Sequence, residues 1–259
     1  MPFADLSDVR IHYALTGPES APVLVLSNSL GSNFSMWDPQ LAAFSSRFRL
    51  LRYDTRGHGQ SSVSPGPYTI EILANDVVQL LDALHFDRIN FCGLSMGGQT
   101  GIWLGQHAAN RLHKLVLCNT GAKIGSAEVW NARINAVLAC GLKDISAGVI
   151  SRWFTPSFHS AHPEIVAAAL QMLDATNAQG YAACCAALRE FDERQHLASI
   201  SVPTLVIAGA QDPSTPPADG RFIADQIPGA RFVLLSAAHL SNIEAANQFT
   251  NELQNFLSA

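Results

Sequence analysis

The sequence predicts an α/β protein: a mostly parallel, doubly wound sheet with a block of helices inserted between two strands. Two observations carry this. A continuous apolar run at 23–26 and mostly apolar, strand-like runs at 48–53, 88–92, 112–118, 203–209 and 231–235 are separated by segments of helical period. Runs of that length mark strands buried on both faces of a parallel sheet. From about 120 to 197 the strand pattern stops. Helical stretches replace it near 126–139, 144–154, 163–175 and 179–190, with breaks at Gly125, Gly141, Pro156 and Gly180. The expected division is a core of 1–120 with 198–259, and a helical lid over 121–197.

The elements follow in order. A hairpin is expected over 3–15, turning near Ser7-Asp8, with Val9, Ile11 and Tyr13 on one face. Strand 23–26 runs into the small polar loop Ser27-Asn28-Ser29-Leu30-Gly31-Ser32. Asp38 as N-cap and Pro39 as first helical residue predict a helix over 37–44. Thr69 caps a helix that carries Ile70, Leu73, Val77, Leu80, Leu81 and Leu84 on one face. Later helices are expected over 96–109, 217–226 and 242–257, the last with Ile243, Phe249, Leu253, Phe256 and Leu257 turned inward.

At 259 residues the chain can bury one large core. Its net charge is −5 and it has no basic run, which argues against a nucleic-acid partner. No apolar stretch approaches the roughly 20 residues of a membrane span. The start, Met1-Pro2-Phe3-Ala4-Asp5, lacks the basic-then-apolar order of a signal peptide. The cysteines (Cys92, Cys118, Cys140, Cys184, Cys185) show no C-x-x-C spacing and read as reduced, packed residues. A cytoplasmic protein is expected, and nothing in the sequence fixes its oligomeric state.

Gly93-Leu94-Ser95-Met96-Gly97 reads G-x-S-x-G between a predicted strand and a predicted helix. In that context it is a nucleophile elbow, a strained turn that exposes the serine oxygen. Downstream, Asp212 follows the strand at 203–209, and His239 follows the strand at 231–235. Ligand crevices form at such strand ends, and the order Ser, Asp, His is that of the α/β-hydrolase fold. A serine hydroxyl needs an imidazole to take its proton, and the imidazole needs a carboxylate to fix its tautomer. Ser95, His239 and Asp212 are therefore the expected catalytic residues. The expected oxyanion donors are the backbone N–H groups of Met96 and Leu30. Asp54 and His58 are weaker rivals as acid and base, His58 lying in a glycine-rich turn that reads as architectural. His159 and His162 have no third ligand near them, so no metal site is expected. Trp130 and Arg133 share a helix face. Beside Lys123 they suit a flat substrate with one carboxylate, although spacing alone fits a packing Trp and a solvated Arg slightly better. Trp153 is expected to close the lid or line the pocket mouth.

Several stretches resemble the 3-oxoadipate enol-lactonases: Asn28-Ser29-Leu30-Gly31, Met36-Trp37-Asp38-Pro39-Gln40, Asn119-Thr120-Gly121-Ala122-Lys123-Ile124-Gly125, Val129-Trp130-Asn131-Ala132-Arg133-Ile134, Gly180-Tyr181-Ala182-Ala183-Cys184-Cys185, and Ala238-His239-Leu240-Ser241-Asn242. The likeness runs through nearly the whole chain, lid included. It implies cofactor-free opening of a small lactone in bacterial aromatic catabolism, with Arg133 as partner for the substrate carboxylate. Two further readings are a broader esterase or carbon–carbon hydrolase, and a ligand-gated binding module that keeps the triad. Dehalogenase and epoxide hydrolase chemistry is disfavoured, because those elbows carry Asp where this one has Ser95.

Overall fold

The apolar runs pair into one sheet. The computed structural model describes residues 2–259. Its strands are β1 (Phe3–Asp5), β2 (Arg10–Thr16), β3 (Val23–Ser27), β4 (Arg49–Tyr53), β5 (Ile89–Leu94), β6 (Leu112–Cys118), β7 (Thr204–Gly209) and β8 (Arg231–Leu235). Their order is β1-β2-β4-β3-β5-β6-β7-β8. The β1–β2 and β2–β4 pairs are antiparallel and the rest parallel. Every residue of β3, β5 and β7 is buried, as continuous apolar runs require.

The helices are α1 (Asp38–Phe44), α2 (Ile70–Ala83), α3 (Met96–His107), α4 (Ala127–Cys140), α5 (Lys143–Trp153), α6 (Pro156–Ala161), α7 (Pro163–Asp174), α8 (Ala178–Glu190), α9 (Pro217–Gln226), α10 (Ser241–Glu244) and α11 (Ala246–Ser258). Helix α3 packs on β5 and β6 beside α2, whereas α9 packs on β7 and β8. Helices α4 to α8 all fall between β6 and β7, and α4 lies along α8. Among the described residues no helix is long and apolar enough to cross a membrane.

Four local expectations need correction. Asp38 does not cap α1: a 3-10 turn over Phe34–Trp37 precedes it, capped by Asn33, and Asp38 instead pairs with Arg52 of β4. Pro156 does not break a helix but opens α6 behind the Thr155 cap, since an N-terminal proline loses no hydrogen bond. The final helix is two, divided at Ala245 (φ −110°, ψ 41°), and Phe249, Leu253, Phe256 and Leu257 line the buried side of the second. Gly180 does not break a helix either: it lies inside α8, where its lack of a side chain lets the backbone meet that of Gly57.

Candidate active site

Ser95 stands between β5 and α3 with φ 59° and ψ −113°. A positive φ on a residue with a side chain costs on the order of 1–2 kcal/mol and persists only where its surroundings enforce it. Here they do. The Ser95 N–H donates to Cys118 O at 2.9 Å, and Thr120 Oγ1 donates to Ser95 O at 2.7 Å. A Cβ on Gly93 would stand 2.0 Å from Gly97 O, and one on Gly97 2.4 Å from Ser27 O. Only glycines let strand and helix pass this closely.

The loops after β7 and β8 bring Asp212 and His239 together. His239 Nδ1 lies 2.8 Å from Asp212 Oδ2, with the His239 side chain 3% exposed and that of Asp212 wholly buried. With the proton on Nδ1, Nε2 is left as the acceptor. Asp212 Oδ1 accepts from the N–H groups of Ser214 and Thr215, and Oδ2 also accepts from Thr215 Oγ1 at 2.7 Å. Burial by itself would raise this carboxyl. The His239 charge and hydrogen bonds from His239, Asn119 and Thr215 outweigh burial and hold it at about 2.

Asn119, which the sequence reading did not select as a site residue, ties these loops together. It follows β6 with φ 44°. Its Nδ2 donates to Asp212 Oδ2 at 3.0 Å and to Ala238 O at 3.1 Å, and its Oδ1 accepts from Ser241 Oγ. One residue earlier, Cys118 O holds the serine backbone. The end of β6 therefore connects Ser95 to the Asp212–His239 pair.

The loop after β3 is fixed from both sides. Asn28 Nδ2 donates to Tyr53 O at 2.7 Å, and Trp37 Nε1 donates to Asn28 Oδ1 at 3.0 Å. Leu30 is buried at the cavity wall, and Met96, directly after Ser95, is buried at the start of α3. Among the described residues, no hydrogen bond occupies the N–H of either. Gly31 N–H donates to His58 Nε2 at 3.0 Å, while His58 Nδ1 faces Arg56 O at 3.3 Å. The architectural reading of His58 is thus given a concrete task. Burial lowers the His58 imidazole to about 4, against the backbone bond to Arg56 and the Asp54 charge. A folded value below the unfolded one favours the neutral ring. Its contribution is whole above about pH 6.5 and is lost as the pH falls toward 4. Protonated Nε2 would meet the Gly31 N–H donor head-on. His58→Gln is expected to remove about 3 kcal/mol of the acid-side decline in unfolding free energy between pH 6.5 and 4. Denaturant titrations at stepped pH measure this directly; parallel curves for variant and wild type would contradict it.

Ser95, Leu30, Trp130, Arg133 and Trp153 line one cavity of about 40 Å³. Trp130 Nε1 donates to Ile124 O at 2.6 Å, and the Arg133 guanidinium sits 5.0 Å from the Trp130 ring centre. Lys123 is a correction. It is absent from the cavity wall and turns outward to Asp192 at 3.1 Å, a carboxylate 69 residues on that sequence proximity to Arg133 could not reveal. In its place the structure brings Arg152 of α5 and Tyr181 of α8. Among the described residues, neither Arg133 nor Arg152 has an ion-pair partner. Arg152 is held below its ordinary value first by burial and then by the like charge of Arg133. Signals for these residues in the sequence are faint, since each is an ordinary helical position.

The rivals are occupied elsewhere. Asp54 accepts from His12, Phe34 N and Gln60 N. His159 and His162 pack against Phe154 and Phe158, and among the described residues no three His, Cys, Asp or Glu side chains gather as a metal site would need.

Known proteins resemble this chain in sequence and in fold. A family profile described as alpha/beta hydrolase fold matches residues 22–138. The chain is 46% identical to 3-oxoadipate enol-lactonase 2 of Acinetobacter baylyi, over 95% of this chain and 92% of that one. The crystal structure of the enol-lactonase from Burkholderia xenovorans LB400 superposes with a TM-score of 0.98 at 46% identity, covering all of both chains. A hydrolase from Pseudomonas aeruginosa PA01 gives 0.97 at 47% identity, over 100% of this chain and 98% of that one. The chain belongs to the 3-oxoadipate enol-lactonases, a family of the alpha/beta hydrolase fold.

Proposed function

We propose that the chain is a serine hydrolase that opens 3-oxoadipate enol-lactone with water to give 3-oxoadipate. One observation carries the reading: the cavity that Ser95 lines has Arg133 and Arg152 as its charged wall residues, both without a carboxylate partner. Unpaired guanidiniums beside a nucleophile suit a substrate that brings its own carboxylate.

In this reading Ser95 Oγ attacks the lactone carbonyl and His239 Nε2 takes the hydroxyl proton, with Asp212 stabilising the imidazolium. The N–H groups of Leu30 and Met96 hold the tetrahedral oxyanion. Collapse breaks the ring C–O bond. His239 returns its proton to the departing enolate oxygen, and the enol relaxes to the ketone. A water deprotonated by His239 then cleaves the acyl-enzyme and regenerates Ser95. These steps call for neither metal nor cofactor. Residues 121–197 serve as the lid over a core of 1–120 and 198–259, a division supported by the cavity wall that α4, α5 and α8 supply. The five free thiols suit a reducing compartment, so the cytoplasm is the proposed location.

The test compares the enol-lactone with 4-nitrophenyl acetate. Arg133→Ala and Arg152→Ala should each raise KM for the lactone about 10- to 100-fold, the loss expected for a charge-assisted hydrogen bond. Both should leave the neutral ester within about twofold. Equal efficiency of the wild type on both substrates would favour a broad esterase instead.

A further inference from the structure

Tyr181 lies in the first turn of α8 and is fully buried; the Arg133 guanidinium is close enough to donate toward its oxygen, yet among the described residues its O–H finds no acceptor. A buried phenol normally finds one, and leaving it without costs free energy. The ring is not free to turn away. Gly31, at φ 78°, leaves so little room that a Cβ there would stand 3.0 Å from Tyr181 Cε2. Helix α8 is itself pinned, because the backbones of Gly180 and Gly57 meet where a Cβ on Gly180 would lie 2.3 Å from Gly57 O. Asn177 Oδ1 caps the same turn, accepting from Gln179 N and Gly180 N. The hydroxyl is therefore held in a fixed place, and the residue lines the cavity of Ser95, Arg133 and Arg152.

The chemistry of these neighbours decides what the hydroxyl awaits. A guanidinium has N–H donors and no acceptor. Among the described residues no carboxylate stands in the cavity wall, and none of its serine hydroxyls reaches the phenol, so the group that accepts from it arrives with the ligand. Burial first, then Cys185, holds the phenol above its ordinary value against the pull of Arg133 and Arg152, which keeps it a neutral donor at neutral pH. We propose that Tyr181 is a specificity-determining residue whose hydroxyl donates to the carboxylate bound by Arg133 and Arg152. The proposal rests on the lactonase reading for its substrate, and on the donor cluster alone for its ligand class, a carboxylate.

The experiment measures adipate as a competitive inhibitor of 4-nitrophenyl acetate hydrolysis by wild type and Tyr181→Phe. Removing the hydroxyl should raise the inhibition constant for adipate about tenfold, well beyond any change in KM for the ester. KM for the enol-lactone should rise by a similar factor with kcat little changed. The Tm should hold or increase, because an unsatisfied buried group is removed. An unchanged adipate constant would overturn the assignment, as would equal losses for anion and ester, or a fall in Tm that accounts for both. Wild type that cleaves the ester but not the enol-lactone would defeat only the functional reading, since the adipate comparison still decides the role of Tyr181.

Discussion

Replacing Ser95 with alanine is expected to cut kcat for lactone opening roughly a million-fold, the loss seen when a serine nucleophile is deleted from a triad. The reason lies in the turn as much as in the oxygen. At φ 59° and ψ −113° the backbone aims one side chain into the cavity, and among the described residues no other serine sits at a positive φ. Ser29 and Ser214 also line the cavity, but neither occupies an elbow. The same geometry gives a second readout. Ser95→Gly removes the nucleophile together with the Cβ that makes a positive φ costly, so unfolding free energy should rise by about 1 kcal/mol as activity disappears. Progress curves at the lactone absorbance and denaturant titration test the pair. Residual turnover above about a thousandth of wild type in Ser95→Ala would remove Ser95 from the mechanism.

Asp212→Asn should lower kcat about ten-thousand-fold near neutral pH while changing KM little, because the amide cannot hold the His239 Nδ1–H tautomer. An amide at 212 can also donate, so it would compete with Asn119 Nδ2 and Thr215 Oγ1, both of which now donate to this carboxylate. The wild-type carboxyl, at about 2, sits below an unfolded value near 3.9. Its stabilising contribution is present above pH 3.9 and is lost as the pH falls toward 2, so the variant should lose the part of the acid transition that lies in that window. A kcat within tenfold of wild type would show that another carboxyl orients the imidazole.

How much of this was legible in the sequence depends on the range of each signal. The strands announce themselves in short, mostly apolar runs, and G-x-S-x-G is legible because its five residues are contiguous, although only Gly93 answers a contact inside the motif while Gly97 answers Ser27, 70 residues away. Asp212 and His239 could be ranked because each follows a strand end, where side chains reach a common crevice. Asn119, Arg152 and Tyr181 carry no such mark. Asn119 looks like any residue after a strand until Asp212 and Ala238 are folded against it, 93 and 119 residues away. Lys123 misled for the converse reason. Its charge appeared available beside Arg133, but Asp192 neutralises it on the outer surface. Pro156 and Ala245 show the limit for boundaries: one proline starts a helix, and one alanine interrupts another without any breaker residue.

Glu244 bridges two pieces of chain that lie far apart in sequence. Its carboxylate accepts from Thr155 N, just beyond α5, and from Ala238 N, the neighbour of His239, while Leu240 N donates to Trp153 O. The chamber beside Ser95 is walled by side chains of α4, α5 and α8. Glu244 therefore ties the α5 side of that wall to the segment that carries the imidazole. A displacement of α5 would reach the catalytic base through this one carboxylate and the neighbouring Leu240–Trp153 bond.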